Sequence, residues 1–356
     1  MFVDIVNGLH ERGYDVVVLT FDYPGRAFYN LNSEIRRLDI AINHAGQPLP
    51  RVRMLQALPK IRSSVTAEMP DVIVAFMHST YVPVSLATLG LSIPFVASEH
   101  TTARHYDDRP LQRWVRELVD RRASLRTVPS EAARLSYQVP PSAKCIVVSN
   151  PVKLEGSEGL LDRDPMDPPE LLSIGRLMEE KDHMVLLSAF SRVATEFKNW
   201  RLRIVGDGPL RSQLQDRVDR LGLGARVEIS GYVKDVTAAY ARAKFVVVHS
   251  RYESFGMVAA EALIAGRAVL YFDDCLGVAE IVEGGKCGLA VSGSSDTEAR
   301  ISALASGLVR LMGDPDLCDR LGSKGPLAME RYGLEAVLDR WEDIISQAKC
   351  RAVSKT

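Results

Sequence analysis

The sequence predicts an α/β protein of two doubly wound domains, and three observations carry that expectation. The chain has 356 residues, more than one hydrophobic core usually serves. From residue 170 to 292, short β-branched runs alternate with helix-forming segments across short connections, the pattern of repeated βαβ units on a parallel sheet. The run Phe245-Val246-Val247-Val248 is apolar at every position, which suits a strand buried on both faces.

Composition narrows the class. Hydrophobic residues make up 46% and charged residues 25%, the balance of an ordinary globular protein. The net charge of −1 gives no basic excess, so nucleic acid is not expected as a partner. Cys145, Cys275, Cys287, Cys318 and Cys350 form no Cys-x-x-Cys pair and no zinc spacing, which suits a reducing, cytoplasmic setting. Met1 leads into helix-like sequence, with no signal peptide expected. Residues 72–98 carry no full charge and are long enough to span a bilayer. They contain Pro83, Pro94 and His78, and divide into strand, helix and strand, so a buried βαβ unit is expected instead.

Taken in order, the first domain covers residues 1–150. Phe2, Ile5, Val6 and Leu9 fall on one helical stripe that Gly13 ends, followed by a strand at 15–20. A short strand is expected at 35–40, and a helix at 51–68 that Pro59 interrupts. Then come strand 72–77, helix 81–89, strand 94–97, helix 113–121, strand 125–128, helix 130–137 with Ser130 as N-cap, and strand 145–148. A doubly wound domain ordinarily opens on a strand and a glycine-rich loop, and neither stands ahead of Phe2. The expectation is a start that lies upstream, with a domain short of a central strand as the alternative. Residues 151–169, rich in Gly, Pro and acids, are expected to be a linker. The second domain, 170–333, alternates strands 170–174, 201–205, 226–230, 245–249, 268–272 and 288–292 with intervening helices. A helical tail follows, with residues 334–356 carrying Leu338, Trp341, Ile344 and Ile345.

The stretch Ser250 to Leu263 carries the chemistry. It follows a buried strand and opens a helix. Gly256 lets a ligand approach the backbone, and the amides of the first helical turn favour an anion such as phosphate. Glu253 and Glu261 flank that anion site. Carboxylates beside a phosphate suit uncharged hydroxyls, and a ligand with phosphates and hydroxyls is a nucleotide sugar. The bland alternative is a charged helix face. Gly206-Asp207-Gly208 also joins a strand to a helix, but Arg211 stands where a dinucleotide fingerprint needs its third glycine. That weakens a dinucleotide oxidoreductase, and a plain strand–helix turn is nearly as good a reading. Arg176 and Lys181 follow the strand at 170–174, on the edge where doubly wound domains bind ligands.

Glu253 and Glu261 are separated by seven residues, and this segment resembles the E-x7-E motif of retaining glycosyltransferases of the GT-B fold, family 4 type. The resemblance extends to Gly175-Arg176-Leu177 with Glu180-Lys181-Asp182, Val205 to Leu210, Gly231-Tyr232-Val233, and Gly277 with Glu280-Ile281; it is dense from about 145 to 292. It implies the GT-B architecture: two Rossmann-like domains facing a cleft, with the C-terminal helix crossing back to the first. It implies that Arg176 and Lys181 neutralise the leaving diphosphate, Glu261 holds the ribose hydroxyls, and Glu253 contacts the donor sugar. Gly175, Gly206, Gly208, Ser254, Phe255, Gly256, Met257 and Val258 would line the nucleotide sugar. The backbone at Tyr232 and Val233 would meet the base. His100, in Glu99-His100-Thr101, would lie beside the donor sugar. Each has its bland counterpart: surface cations for Arg176 and Lys181, a packed ring for Tyr232, a satisfied strand-end histidine for His100. His78 is a lesser candidate.

The function the resemblance implies is transfer of a hexose from a UDP- or GDP-sugar to a carbohydrate or lipid-linked acceptor, with retention. It requires no cofactor and no metal, since the cations take that role; Asp162-Arg163-Asp164 lies in the linker and argues for none. The setting would be polysaccharide, lipopolysaccharide or glycolipid biosynthesis in the cytoplasm, with peripheral contact at the inner face of the membrane. Residues 101–127 hold seven arginines, four acids and Trp114, a run that is ordinarily a solvated helix face and alternatively faces anionic lipid or a lipid diphosphate. A nucleotide-sugar 2-epimerase of the same fold and a catalytically impaired nucleotide-sugar-binding protein remain as alternatives.

Overall fold

The computed structural model describes residues 1–23, 30–43, 51–137, 145–154, 168–233 and 235–353. Much of the expected linker and its Asp162-Arg163-Asp164 fall outside them. The chain divides into two compact units, Met1–Pro151 with Leu334–Thr356, and Val152–Gly333.

The first unit opens on α1 (Phe2–Glu11), whose Ile5, Val6 and Leu9 are buried. Two parallel sheets follow in the chain. One pairs β1 (Val17–Asp22) with β2 (Arg36–Asn43); the other orders β3 (Ile73–Phe76), β4 (Phe95–Ser98), β5 (Leu125–Val128) and β6 (Cys145–Val147) side by side. Strands β4 and β5 are buried at every residue, the polar Ser98, Arg126 and Thr127 included. Helices α2 (Arg51–Glu68), α3 (His78–Ala87), α4 (Pro110–Arg122) and α5 (Glu131–Ser136) fill the connections. Ser130 caps α5, its side chain accepting from the Ala133 amide at 3.0 Å.

One expectation changes here and another holds. Helix α2 runs through Pro59 without a break. Ala57 and Ile61 are fully buried on its inner face. Pro59 and Leu55, four residues back, lie on the exposed face, where water can take the carbonyl that Pro59 leaves unpaired. Residues 72–98 form β3, α3 and β4, and no helix among the described residues is long and apolar enough to cross a membrane.

The second unit is built on one six-stranded parallel sheet. Its strands are β7 (Glu170–Ile174), β8 (Arg201–Val205), β9 (Val227–Gly231), β10 (Ala243–Val248), β11 (Ala268–Phe272) and β12 (Gly288–Val291), in the order β12-β11-β10-β7-β8-β9. The connecting helices are α6 (His183–Val193), α7 (Arg211–Arg220), α8 (Val236–Arg242), α9 (Met257–Ile264) and α10 (Leu276–Gly285). Helices α11 (Thr297–Gly313), α12 (Pro315–Gly322) and α13 (Gly325–Met329) complete the unit. Two apolar clusters cover the sheet. One joins α6, α7 and α11 to it through Phe190, Leu214 and Leu308; the other joins α9, α10 and α13 through Leu263, Ile281 and Met329.

The last helix, α14 (Leu334–Val353), belongs to the first unit. Its Val337, Leu338, Trp341 and Ile344 pack with Ile5 and Leu9 of α1, Val96 of β4 and Leu125 of β5. Arg12, just past α1, reaches Glu335, Asp339 and Glu342 on successive turns of α14.

Candidate active site

The strand order of the second unit reverses between β7 and β10, from which the chain winds outward in opposite directions. In an open α/β sheet such a switch point leaves a crevice beyond the carboxyl ends of the two strands. Gly175, Arg176 and Lys181 follow β7, and Glu253, Gly256 and Glu261 follow β10; Gly206 and Gly208 follow β8, and Tyr232 and Val233 follow β9.

Beyond β7, Gly175, Arg176 and Leu177 turn over the neighbouring loop. The Leu177 amide donates to the Asp207 carbonyl at 2.9 Å, and the Gly206 amide to the Gly231 carbonyl at 2.8 Å. Gly206 has no alternative here: a Cβ on it would stand 1.9 Å from the Gly175 carbonyl oxygen. The glycines of 206–208 therefore let three strand-end loops, at 175–177, 206–208 and 231–233, lie against one another. Tyr232 is exposed, while Val233 packs on the core.

Lys181 closes a 3₁₀ turn, Glu179–Lys181, ahead of α6. Asp182 follows in the left-handed region at φ 56°. From the other strand, the chain leaves β10 through His249 and Ser250 and reaches Glu253 and Gly256, the N-cap of α9 with φ 96°. The two loops meet. The Lys181 ammonium pairs with the Glu253 carboxylate, and Ser250 Oγ donates to the same carboxylate oxygen at 2.9 Å. The Arg251 amide donates to the Glu180 carbonyl at 2.9 Å. Lys181 and Glu253, 72 residues apart, are thus one unit. Arg176 stands further out, mostly exposed, 3.4 Å from Glu180.

Glu261, one turn into α9, is held from below. Tyr240 Oη donates to its carboxylate at 2.8 Å. Burial pushes the Glu261 carboxyl up, and the Tyr240 hydrogen bond draws it partly back. Ser254 and Met257 are partly buried, and Val258 packs against the core with Met257. Phe255 is a core side chain, its ring edge-on to Tyr332 at 5.2 Å, so only its backbone is available to a ligand.

Beneath this pair lies a buried ionic cluster that the sequence does not announce. Arg300, from the first turn of α11 and 1% exposed, stacks on Phe272 and lies 3.4 Å from Asp182 and 3.1 Å from Asp274. Arg251 also meets Asp182, at 3.2 Å. Asp182, next in sequence to Lys181, was quoted only as part of a motif. Arg300 had no local signal, because a single arginine in a long helix reads as surface. His249 and His183 face each other with ring centroids 4.8 Å apart; His249 shares a 2.8 Å hydrogen bond with Ser173.

In the first unit, His100 follows β4. Its ring stacks on Phe76 and lies 3.0 Å from Ser98 Oγ. Burial lowers its pKa to about 4 against the raising influence of Glu99, so the imidazole is neutral at neutral pH. Glu99 is fully buried and pins the loop. It accepts from Tyr81 and Tyr106 hydroxyls, both at 2.6 Å, and from the amides of His100 and Thr101. Burial alone would raise its carboxyl; hydrogen bonds from Tyr106 and Tyr81 and the charge of Arg126 hold it below the ordinary range. His78 opens α3, with Nε2 3.3 Å from the Gln112 carbonyl. Among the described residues, no group of three metal-ligating side chains is present.

Comparison with known proteins agrees with this architecture. A family model described as Glycosyltransferase Family 4 matches residues 1–155, and one described as Glycosyl transferases group 1 matches residues 163–327. An exopolysaccharide phosphotransferase of Streptomyces coelicolor is 31% identical over 195 residues, which are 54% of this chain and 20% of that protein. This chain thus spans a fifth of that relative's length. A Campylobacter jejuni α-1,4-N-acetyl-D-galactosaminyltransferase, named for a diphospho-undecaprenol-linked acceptor, is 24% identical over 98% of this chain and 94% of its own. Among solved structures, that of Anabaena HepE in complex with UDP and glucose superposes with a TM-score of 0.76 at 20% identity, covering 97% of this chain and 94% of the other. With the two family models between them matching nearly its whole length, the chain belongs to the group 1, family 4 glycosyltransferases and is a glycosyltransferase of the GT-B fold.

Proposed function

We propose that this glycosyltransferase moves a hexose from a nucleoside-diphosphate sugar, UDP- or GDP-linked, to a carbohydrate or lipid-linked hydroxyl, retaining the anomeric configuration. The observation that carries the reading is the meeting of Lys181 and Glu253 at the sheet's switch point, with the N-terminus of α9 and Glu261 alongside. A cation, a helix N-terminus and two carboxylates in that order match a diphosphate bounded by a sugar and a ribose. In the reaction the bond from the anomeric carbon to the diphosphate oxygen breaks. The acceptor oxygen bonds to the same face of that carbon, and its proton passes to the departing diphosphate. Negative charge grows on the diphosphate, where Lys181, Arg176 and the α9 dipole stabilise it. These groups suffice without a divalent ion. Glu253 contacts the donor sugar and Glu261 the ribose hydroxyls. The backbone at Tyr232 and Val233 reads the base, and Gly175, Gly206 and Gly208 border it. A lipid-linked acceptor places the reaction at a membrane surface, in polysaccharide or glycolipid assembly; the acceptor in the Campylobacter relative's name supports this.

The test is thermal stability against UDP, GDP and their sugars, with Glu261→Ala and Lys181→Ala beside the wild type. Ligand at a hundred times its Kd stabilises by about 2.7 kcal/mol, so one nucleotide should raise the wild-type Tm by several degrees. The shift should fall away in both variants and persist in EDTA. NMR of the product with the identified donor then reads the anomeric configuration and separates transfer from 2-epimerisation. Equal shifts in wild type and both variants would remove Lys181 and Glu261 from the site.

A further inference from the structure

Helix α4 of the first unit carries apolar side chains on two faces, Val115 and Val119 against the core and a second set outward. Its inward face carries an arginine: Arg116 is buried, with its guanidinium over the rings of Tyr106 and Tyr137 at 5.3 and 4.6 Å, and Val119 lies beside it. Its outward face carries the large apolar side chains: Leu111 at 57%, Trp114 at 57% and Leu118 at 42% exposure. Their spacing of three and four residues sets them on one stripe along the helix, and Arg121 continues it after three more. A helix packed on its own protein ordinarily leaves charged and polar residues on the outer face, so the outward apolar row is the unexplained feature. The surroundings of the stripe are cationic. Arg104, Arg109, Arg113 and Arg121 are exposed, against exposed Asp107 and Asp108; the partly exposed Glu117 lies 3.3 Å from Arg113.

We propose that α4 is a docking surface for an anionic lipid bilayer. It would lie in the plane of the membrane, with Leu111, Trp114 and Leu118 entering the headgroup–acyl boundary. This inference rests on the membrane-surface reading given above and names the element that performs it. The occupant follows from the chemistry of the patch. Three apolar side chains in a row along one helix, with a tryptophan at the centre, fit an interface that is apolar below and wet above. A protein partner would be expected to meet a broader apolar core; a bilayer needs only a stripe. The exposed arginines complement phosphate headgroups, and their long stems let the guanidinium stay at the phosphate level while the apolar row sinks below it. Each such cation near an anionic surface is worth about a fivefold change in membrane affinity. The apolar stripe alone gives weak binding to any bilayer, and the two together give binding that depends on anionic lipid and on salt.

The experiment uses the intrinsic fluorescence of the whole chain. Its other tryptophans, Trp200 and Trp341, are 6% and 2% exposed, so shifts of emission and quenching by brominated lipid report on Trp114. The chain is mixed with phosphatidylcholine vesicles with and without phosphatidylglycerol, and pelleting is measured in parallel. The expected result is cosedimentation with phosphatidylglycerol vesicles that falls with salt, a blue shift of Trp114, and quenching by bromines near the headgroup. Trp114→Glu and Leu118→Glu should abolish pelleting. Arg113→Gln with Arg121→Gln should weaken it by about thirtyfold. Because these side chains are exposed, the variants should keep the wild-type Tm and the wild-type nucleotide-induced shift. That shift separates the two readings, since its loss in the wild type counts against the donor site and not against α4. The proposal is overturned if the wild type ignores phosphatidylglycerol vesicles with Trp114 emission unmoved. It is also overturned if Trp114→Glu pellets as well as the wild type, which would leave membrane contact to another surface. A dimer that forms without vesicles and is lost in Trp114→Glu would overturn it in favour of a second copy of the chain.

Discussion

Three histidines sit where protonation is costly. Burial, aided by the charge of Lys181, lowers the His183 pKa to about 4; burial lowers His100 to about 4, and His249 falls well below its ordinary value. In the unfolded chain each titrates near its ordinary value of about 6.5. Their stabilising effect is therefore present above that pH and is lost as the pH falls from about 6.5 towards 4, because the unfolded state takes up protons the folded state refuses. By pH 5 the loss is about 2 kcal/mol each for His183 and His100. Glu261 and Asp182, raised by burial, work the opposite way, so the net curve alone does not isolate the effect. The comparison of wild type with His183→Gln does. Urea unfolding at pH 7 and pH 5 should show a wild-type decline that is smaller in the variant by roughly that amount. An equal decline in both would mean His183 is protonated in the fold. At this scale the sequence was informative about which residues matter and silent about who touches whom. Lys181 and Glu253 were legible as two separate contacts. Their direct pairing, and the support of Glu261 by Tyr240, depend on side chains brought together from distant loops.

At the scale of elements, the second unit's site is a set of loops that fit only because some of their residues have no side chain. The contact of Gly206 with the Gly175 carbonyl is the tightest of these. Gly206→Ala places a methyl 1.9 Å from a backbone oxygen, and neither partner is the end of a flexible chain. The loops at 175–177 and 206–208 must part, and the expected cost is about 2–4 kcal/mol, the range of overpacking plus backbone strain. The same displacement moves Arg176, so nucleotide-induced stabilisation should weaken in this variant beyond the loss of Tm. Calorimetry with and without nucleotide measures both. Alternation of strand and helix from 170 to 292 was readable because β10 and β11 are nearly all apolar, the other strands carry β-branched or leucine residues, and each connection is short. Helix α2 was misjudged at Pro59, since a proline's effect depends on whether its freed carbonyl faces water, and that is settled by packing.

On the scale of the whole molecule, α14 shows how a distant segment completes a core. Val337, Leu338, Trp341 and Ile344 are each at most 4% exposed and join residues of α1, β4 and β5. Burying four such side chains contributes about 6–10 kcal/mol, comparable with the net stability of a domain. A chain ending at Gly333 should lose the cooperative unfolding of residues 1–151. Residues 152–333 make their own core and should still melt as a unit. Limited proteolysis with mass spectrometry should then yield a resistant fragment from the second unit alone. Resistance of both units would show that α14 is dispensable. The salt bridges of Arg12 to α14 are partly exposed and contribute little beside the apolar contacts.

What the sequence by itself determined is the class of fold, the order of its elements and the loops that carry the chemistry. These rest on local periodicity and on glycine, carboxylate and cation spacing, which act over a few residues. Tertiary structure alone decided the strand order that makes β7 and β10 neighbours, and with it the meeting of Lys181 and Glu253. It also decided the burial of Arg300 and Glu99 among their partners, and the outward turn of Leu111, Trp114 and Leu118. The physical reason is the same in each case. Burial and pairing depend on contacts between segments far apart in the chain, and a helix's apolar stripe does not state whether it faces a core or a surface until the rest of the chain has packed.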